Sequence, residues 1–211
     1  MPETTDGAVR YDVTSHVATI TMNRPDAMNS LTTETRAELK DALHAAAADS
    51  DVRAVVLTGT GKAFCVGQDL KEHVASLQEK PIEEVWSVVA SDYAPMATVP
   101  KPVIAAVNGV AAGAGASLAF AADFRILAEP ASYNLAFANI ALSCDTGASW
   151  TLPRLVGHAK AKRKDAPPQC LSGWQRNEGP YHEPQKIGAA WRRRPARARR
   201  VRARTRRRIP P

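Results

Sequence analysis

Two short segments of the sequence contain residues whose types and spacing could do chemistry. The first is the run of small residues 113–115, Gly-Ala-Gly, which opens an uncharged helical stretch. Free N–H groups at a helix start attract an anionic oxygen, and small residues let a ligand contact the backbone. The second is Asp145, in the turn 144–147, whose carboxylate could transfer a proton. The alternatives are close helix–strand packing for residues 113–115 and an N-cap role for Asp145.

The elements that must position these residues alternate between strands and helices. We expect a hairpin over residues 9–22, strands at 52–58, 102–107 and 124–127, and an extended segment at 132–137. The first predicted helix is capped by Thr32 or Thr33 and runs to about Ala48. Further helices are expected at 82–93, from the run of small residues 113–115 to about Ala122, and after a turn within 144–157. Residues 59–70 are predicted to be a loop, and Leu152, Leu155 and Val156 are expected to pack inward. This pattern is typical of an α/β fold.

Composition excludes several classes of protein. Three scattered cysteines do not form a disulfide framework, and neither they nor His16, His44 and His73 have the spacing of metal ligands, so no metal is expected. The uncharged run 103–122 is long enough to span a bilayer. An Asn-Gly turn interrupts it, however, and we interpret it as a strand followed by a helix. The acidic N-terminus has no apolar segment typical of a signal peptide, so a cytoplasmic location is expected.

The charge divides the chain into two parts. Residues 1–160 contain 12 basic and 18 acidic side chains, whereas residues 161–211 contain 16 basic and 3 acidic ones. Eleven arginines lie between positions 192 and 208. We therefore expect a globular core at 1–160 and an irregular or disordered Arg/Pro-rich tail at 161–211, since such a composition buries too little apolar surface to fold alone.

Four motifs in the core resemble one family in order and spacing. NRPDAMNSL at 23–31 is similar to the CoA-contacting segment of the crotonase superfamily of enoyl-CoA hydratases and isomerases. GTGKAFCVGQDL at 59–70 and AAVNGVAAGAGASLAFAADFRI at 105–126 resemble its two oxyanion-hole loops, and SYNLAFANIALSCDTGASWTLPRLVG at 132–157 resembles its active-site wall. The resemblance covers roughly residues 8–160 and implies a spiral of ββα units that binds acyl-CoA.

The resemblance also implies a set of site residues. The backbone N–H groups of Gln68 and Ala114 correspond to the donors that hold the thioester oxygen as it becomes an enolate. Residues at the family's substrate- and CoA-contacting positions are Arg24, Ala27, Lys62, Val66, Asp69, Leu70 and Gly113. Arg24 and Lys62 could bind CoA phosphates, or could be ordinary solvated cations. No permanently bound cofactor is implied, because coenzyme A enters as part of the substrate.

The acid–base positions depart from the hydratase pattern. The two hydratase glutamates correspond to Ser117 and Phe137, neither of which exchanges protons as a carboxylate does. Asp145 remains, at the place where isomerase members of the family have an aspartate. The resemblance therefore favours isomerisation of a double bond or ring over hydration. An apolar neighbour such as Phe137 would raise the pKa of Asp145 and keep it useful as a base.

The tail changes what can be expected of the whole chain. Family members continue with helices that cover the pocket and build a trimer or hexamer, and residues 161–211 do not resemble them. We expect a truncated or frameshifted product with impaired activity that exposes apolar surface. Two alternatives stay open: a catalytically inactive acyl-CoA-binding remnant, and a basic tail that binds nucleic acid non-specifically or folds onto an acidic surface, including that of its own core.

Overall fold

The computed structural model describes residues 7–79, 96, 98–135, 137 and 143–161. Its strands are β1 (Val9–Thr14), β2 (Val17–Met22), β3 (Ala54–Gly59), β4 (Ala63–Cys65), β5 (Val103–Val107), β6 (Val110–Ala112), β7 (Phe124–Leu127) and β8 (Ser132–Asn134). Its helices are α1 (Thr33–Ala48), α2 (Leu70–Glu79), α3 (Ala114–Ala121), α4 (Ala148–Val156) and α5 (His158–Ala161), and a 3-10 turn covers Pro25–Ala27.

The strands form two sheets that the chain visits in turn. One sheet has the order β1-β2-β3-β5-β7, and the other has the order β4-β6-β8. Only the β1–β2 pair is antiparallel. The consecutive pairs β3–β4, β5–β6 and β7–β8 each place their first strand in the larger sheet and their second strand in the smaller one. Helix α2 follows the pair β3–β4, and helix α3 follows the pair β5–β6. The predicted ββα organisation of an α/β fold is therefore confirmed.

The larger sheet is explained by its sequence pattern. In β2 the buried residues Ala18, Ile20 and Met22 alternate with partly exposed ones, and β3 and β5 continue the same alternation. This is the period-2 pattern of strands with one face on the core. The hydroxyl of Thr32 caps α1 by accepting a hydrogen bond from the Thr35 N–H at 3.2 Å, as predicted.

Several predicted boundaries are wrong in instructive ways. Residues 59–70 are not a continuous loop, since they contain β4, and Val110–Ala112, where no strand was predicted, form β6. Both strands have three residues and little β-branched content, so their pairing with each other decides their conformation. Helix α2 was not predicted, and the helix predicted at 82–93 lies outside the described residues.

Two further details depart from expectation near the end of the core. β8 ends at Asn134, so the predicted extended segment does not continue to Phe137. Leu155 is 45% exposed, whereas Leu152 is buried as predicted.

The run 103–122 folds as β5, a turn, β6 and α3, in agreement with the predicted strand and helix. No helix in the described part of the chain is long and apolar enough to cross a membrane.

Candidate active site

The two glycine-containing loops that follow β4 and β6 contact each other. β4 and β6 are parallel neighbours, so their carboxyl ends meet at one edge of the smaller sheet. A β-carbon at Gly67 would lie 2.8 Å from the Ala112 carbonyl oxygen and 3.1 Å from the Ala114 amide nitrogen. Gly67 also has φ +90°, which side chains rarely adopt. Only glycine therefore allows the first loop to approach the second this closely.

The backbone N–H groups of Gln68 and Ala114 are placed at this contact by different means. The Leu31 N–H donates to the Gly67 carbonyl at 2.8 Å, and the Asp69 N–H donates to the Leu31 carbonyl at 3.0 Å. In such a parallel bridge the N–H of the middle residue, here Gln68, faces away from Leu31. Ala114 is the first residue of α3, so its N–H has no acceptor within the helix. The structure thus brings together the two loops that carry the predicted donors.

Gly113 joins the second loop to the rest of the site. Its N–H donates to the Asn134 carbonyl at 2.9 Å and is therefore already occupied. The Ser117 hydroxyl donates to the Gly113 carbonyl at 3.2 Å and is fully buried. A β-carbon at Gly113 would lie 4.0 Å from Cε1 of Phe137, which is itself buried. The two positions where the resemblance places hydratase glutamates thus hold a hydrogen-bonded hydroxyl and a buried aromatic ring.

Asp145 lies in a tight turn before α4. Thr146 and Gly147 both have left-handed backbone, with φ of +50° and +75°. Gly147 is the residue that caps α4, and it makes no side-chain cap bond. The Asp145 carbonyl accepts from the Ala148 N–H at 2.9 Å, whereas its carboxylate accepts from the Thr146 hydroxyl at 2.9 Å. The Asp145 side chain is therefore not the N-cap of α4, contrary to the alternative that the sequence left open.

Burial dominates the electrostatics of Asp145. It raises the pKa of the carboxyl above its ordinary value, and the Thr146 hydroxyl and the His73 charge only partly offset this effect. His73 lies on α2, and its position in the sequence indicated only that it is not a metal ligand. Because α2 was not predicted, nothing in the sequence pattern placed His73 on the same side as Asp145. A half-buried carboxyl with a raised pKa is suited to accept and return a proton.

Arg24 and Asp69, both predicted to contact substrate, pair with each other. The Arg24 guanidinium donates to the Ser30 carbonyl at 2.6 Å and lies 3.3 Å from the Asp69 carboxylate. The Ser30 hydroxyl donates to the same carboxylate oxygen at 3.0 Å. Burial alone would raise the pKa of Asp69, but the hydrogen bonds from Ser30, the Glu72 N–H and Arg24 hold it below its ordinary value.

The remaining predicted contact residues line the same region less tightly. Ala27 ends the 3-10 turn and is half-buried, and the Val66 N–H donates to the Met28 carbonyl at 3.2 Å. Lys62 is exposed beside Gly61, whose β-carbon would lie 3.2 Å from Cβ of Pro25. Leu70 is 56% exposed at the start of α2. The segment that contains Ala27 therefore contacts residues 61–66.

Asn29 is a structural organiser that the sequence analysis did not single out. It is fully buried with φ +56°. Its amide donates to the carbonyls of Thr60 and Ala63, and its carbonyl oxygen accepts from the Arg24 N–H at 2.9 Å. Asparagine adopts left-handed backbone more readily than most residues, and this side chain hydrogen-bonds three main-chain groups. Its position inside the motif 23–31 is the sequence signal that could have identified it.

Both described cysteines have a raised pKa, which makes the reactive thiolate scarce at neutral pH. Burial raises the pKa of Cys65 to about 12, although its sulfur accepts a hydrogen bond from the Gly67 N–H. Burial and the neighbouring Asp145 raise the pKa of Cys144. Among the residues that the structure describes, no three histidine, cysteine or acidic side chains are grouped as metal ligands.

Comparison with known proteins identifies the family. The enoyl-CoA hydratase/isomerase family model matches residues 12–164. A Rhodobacter capsulatus protein named "Probable enoyl-CoA hydratase" is 46% identical over 72% of this chain and 58% of its own length. The 1,2-epoxyphenylacetyl-CoA isomerase of Escherichia coli is 42% identical over 69% of this chain and 56% of its own length. The chain thus spans little more than half the length of these relatives.

The solved structures agree with the sequence comparison. The crystal structure of an enoyl-CoA hydratase from Bacillus anthracis has a TM-score of 0.68 and 39% identity, over 74% of this chain and 60% of that one. An enoyl-CoA hydratase from Polaromonas has a TM-score of 0.68 and 37% identity, over 74% of this chain and 61% of that one. The chain therefore belongs to the enoyl-CoA hydratase/isomerase family, the crotonase superfamily.

Proposed function

We propose that this chain binds an acyl-CoA thioester and isomerises it through an enolate. The thioester oxygen sits between the N–H groups of Gln68 and Ala114, which stabilise the negative charge that develops on it. The observation that carries this proposal is the approach of the two loops, where a β-carbon at Gly67 would lie 3.1 Å from the Ala114 nitrogen. Two amides aimed at one developing oxyanion are typically worth a few kcal/mol each.

Asp145 is the proton-transferring group in this proposal. Removal of a proton next to the thioester gives the enolate, and return of the proton to another carbon moves the double bond without any net gain or loss of atoms. One carboxylate is sufficient for this reaction, whereas adding water requires a group that also positions and activates the water. The buried Ser117 hydroxyl and the Phe137 ring supply no carboxylate at the hydratase positions, which favours isomerisation.

The test is the variant Asp145→Asn in the full 211-residue chain. We expect double-bond isomerisation of an enoyl-CoA, followed by its ultraviolet absorbance, to fall by about 10²–10⁴-fold, the usual contribution of acid–base catalysis. Acyl-CoA binding, measured by calorimetry, should stay within about threefold of wild type. Asp12→Asn, an exposed aspartate on β1, is the matched control. Retained isomerisation in Asp145→Asn would reject the assignment.

A second candidate function is acyl-CoA binding without turnover. It is favoured by one observation: the buried Ser117 hydroxyl and the buried Phe137 ring leave no carboxylate at the two positions where the resemblance places the hydratase glutamates. Calorimetric binding of acyl-CoA by the wild-type chain, together with no isomerisation or hydration, would support it.

A further inference from the structure

Asp69 occupies a position that connects three separate parts of the candidate site. It directly follows Gln68, whose N–H is one of the two proposed oxyanion donors, and it directly precedes α2. Its own backbone N–H donates to the Leu31 carbonyl at 3.0 Å. Movement of the Asp69 backbone would therefore displace Gln68 and its N–H, because the two residues are joined by a peptide bond.

The Asp69 carboxylate is held on both of its oxygens. Oδ1 accepts from the backbone N–H groups of Lys71 and Glu72, at 3.2 and 3.4 Å, and so caps the first turn of α2. Oδ2 accepts from the Ser30 hydroxyl at 3.0 Å and from the Arg24 guanidinium at 3.3 and 3.4 Å. One side chain thus links the start of α2 to the segment between β2 and α1.

Arg24 completes this connection from the other side. Its guanidinium also donates to the Ser30 carbonyl, and its backbone N–H donates to the buried Asn29 amide oxygen. The side chains of Arg24 and Asp69 are only 27% and 18% exposed, so the pair is partly shielded from water and ions. A charge-assisted pair in such a place holds its geometry more firmly than an exposed one.

We infer that Arg24, Ser30 and Asp69 are positioning residues that hold the Gln68 N–H in the orientation needed to bind the thioester oxygen. This inference rests on the proposed oxyanion hole. It assigns Arg24 and Asp69 a role other than contact with coenzyme A, because both oxygens of the Asp69 carboxylate accept hydrogen bonds and both terminal nitrogens of Arg24 donate to that carboxylate. A donor displaced by even about 1 Å can cost about 10²-fold in rate, since the oxygen must lie within hydrogen-bond distance.

The test compares Asp69→Asn and Arg24→Met with the exposed controls Asp12→Asn and Arg10→Met, all in the full chain. The probe is butyryl-CoA carrying ¹³C at the thioester carbonyl, which binds but has no double bond to move. Isotope-edited infrared difference spectra report how strongly the carbonyl is polarised. We expect a lowered carbonyl frequency in wild type and in both controls, and a frequency nearer that of free butyryl-CoA in both positioning variants.

The kinetic expectation accompanies the spectroscopic one. In Asp69→Asn, kcat for enoyl-CoA isomerisation should fall by about 10²-fold, while butyryl-CoA binding changes by less than about threefold. Arg24→Lys retains the charge but not the planar fork, and it should recover part of the frequency shift. These outcomes separate positioning of the donor from loss of substrate binding.

Each other outcome has a definite meaning. A wild-type carbonyl frequency in folded Asp69→Asn or Arg24→Met would overturn the inference and leave the oxyanion hole standing. An unshifted carbonyl in wild type itself would reject the oxyanion hole, and the inference with it. If both positioning variants fail to fold by circular dichroism while the controls fold, the cluster serves stability rather than positioning, and the inference is overturned.

Discussion

At the scale of single residues, Asp69 and Asp145 differ in how well hydrogen bonds stabilise the charged form of the carboxyl group. Asp69 accepts several hydrogen bonds and has a lowered pKa, whereas Asp145 accepts one side-chain hydroxyl and has a raised pKa because it is buried. The two aspartates therefore have opposite electrostatic character. The well-satisfied aspartate is suited to hold structure, and the poorly satisfied one is suited to exchange a proton.

Asp145→Asn should stabilise the protein at neutral pH. Because the native pKa of Asp145 is raised, the folded state holds its proton more tightly than the unfolded state, and stability falls as pH rises from the ordinary value of 3.8 through the native pKa. Asparagine removes this cost and can still accept the Thr146 hydrogen bond. The melting temperature of the variant should exceed that of wild type at pH 7, and the difference should shrink below pH 3.8. A lower melting temperature at pH 7 would contradict the assigned burial cost.

Asp69→Asn should show the opposite pH dependence. The native pKa of Asp69 is lowered, so its contribution to stability is complete above the ordinary value of 3.8 and is lost as pH falls through the native pKa. The variant should melt below wild type at pH 7, and the two curves should converge in acid. Thermal melts between pH 3 and 7 check this, and a gap that does not narrow in acid would contradict it.

At the scale of elements, the site is made by close backbone contacts between the two glycine loops and the strands that lead to them. A β-carbon at Gly115 would lie 2.1 Å from the Cys65 carbonyl oxygen, a distance that only movement of the backbone could relieve. α3 therefore rests directly on β4. The proposed donors Gln68 and Ala114 depend on this contact, because it sets the separation of the loops that carry them.

Gly115→Ala should separate α3 from β4 and impair both folding and activity. We expect a loss of stability of about 1–3 kcal/mol, the usual cost of overpacking, measured by urea denaturation. Gly147→Ala is a useful comparison: its φ of +75° also disfavours a side chain, but nothing lies within 4 Å of its β-carbon. If the two variants lost equal stability, steric contact with β4 would not be the cause.

The Cys65 thiol provides a chemical probe of the same contact. Its sulfur is fully buried beneath Gly67, and its pKa is raised to about 12, so the reactive thiolate is scarce at neutral pH. We expect Cys65 to resist alkylation by iodoacetamide in the native protein and to react when urea unfolds it. Mass spectrometry of tryptic peptides identifies the modified cysteine. Rapid native labelling of Cys65 would show that the loop opens.

At the scale of the whole molecule, the described core ends in an apolar edge. β7 is the last strand of the five-stranded sheet. Its residues Phe124 and Ile126 are 62% and 66% exposed and lie opposite Ile104 and Ala106 of β5 on one face. An exposed edge strand with large apolar side chains is a site where chains associate.

The double variant Phe124→Lys/Ile126→Lys should reduce self-association of the full chain. Charges on an edge strand oppose pairing with another chain, and both side chains already face solvent, so the melting temperature should change little. Light scattering against protein concentration measures the effect. The variant Val13→Lys on β1, at the opposite edge of the sheet and 41% exposed, is the control. Equal association of wild type and the double variant would assign aggregation to another surface.

The sequence by itself determined the order of most elements and the family. The alternation of buried residues in β2, β3 and β5 and the cap at Thr32 depend on neighbours close in sequence, which a local pattern records. The four motifs marked out the two glycine-containing loops and the turn that carries Asp145. The motifs left two roles open for Asp145, a helix cap and a proton-transferring group, because an aspartate just before a helix is compatible with both.

Only the tertiary structure decided which groups pair and which remain available. The strands β4 and β6 form because they lie beside each other, although their short alanine-containing sequences have no strong strand preference. Arg24 and Asp69 are 45 positions apart, so no local pattern could show that they satisfy each other, or that Gly147 rather than Asp145 caps α4. Hydrogen bonds and burial are set by neighbours in space, and these decide whether a carboxylate stabilises the fold or remains free to move a proton.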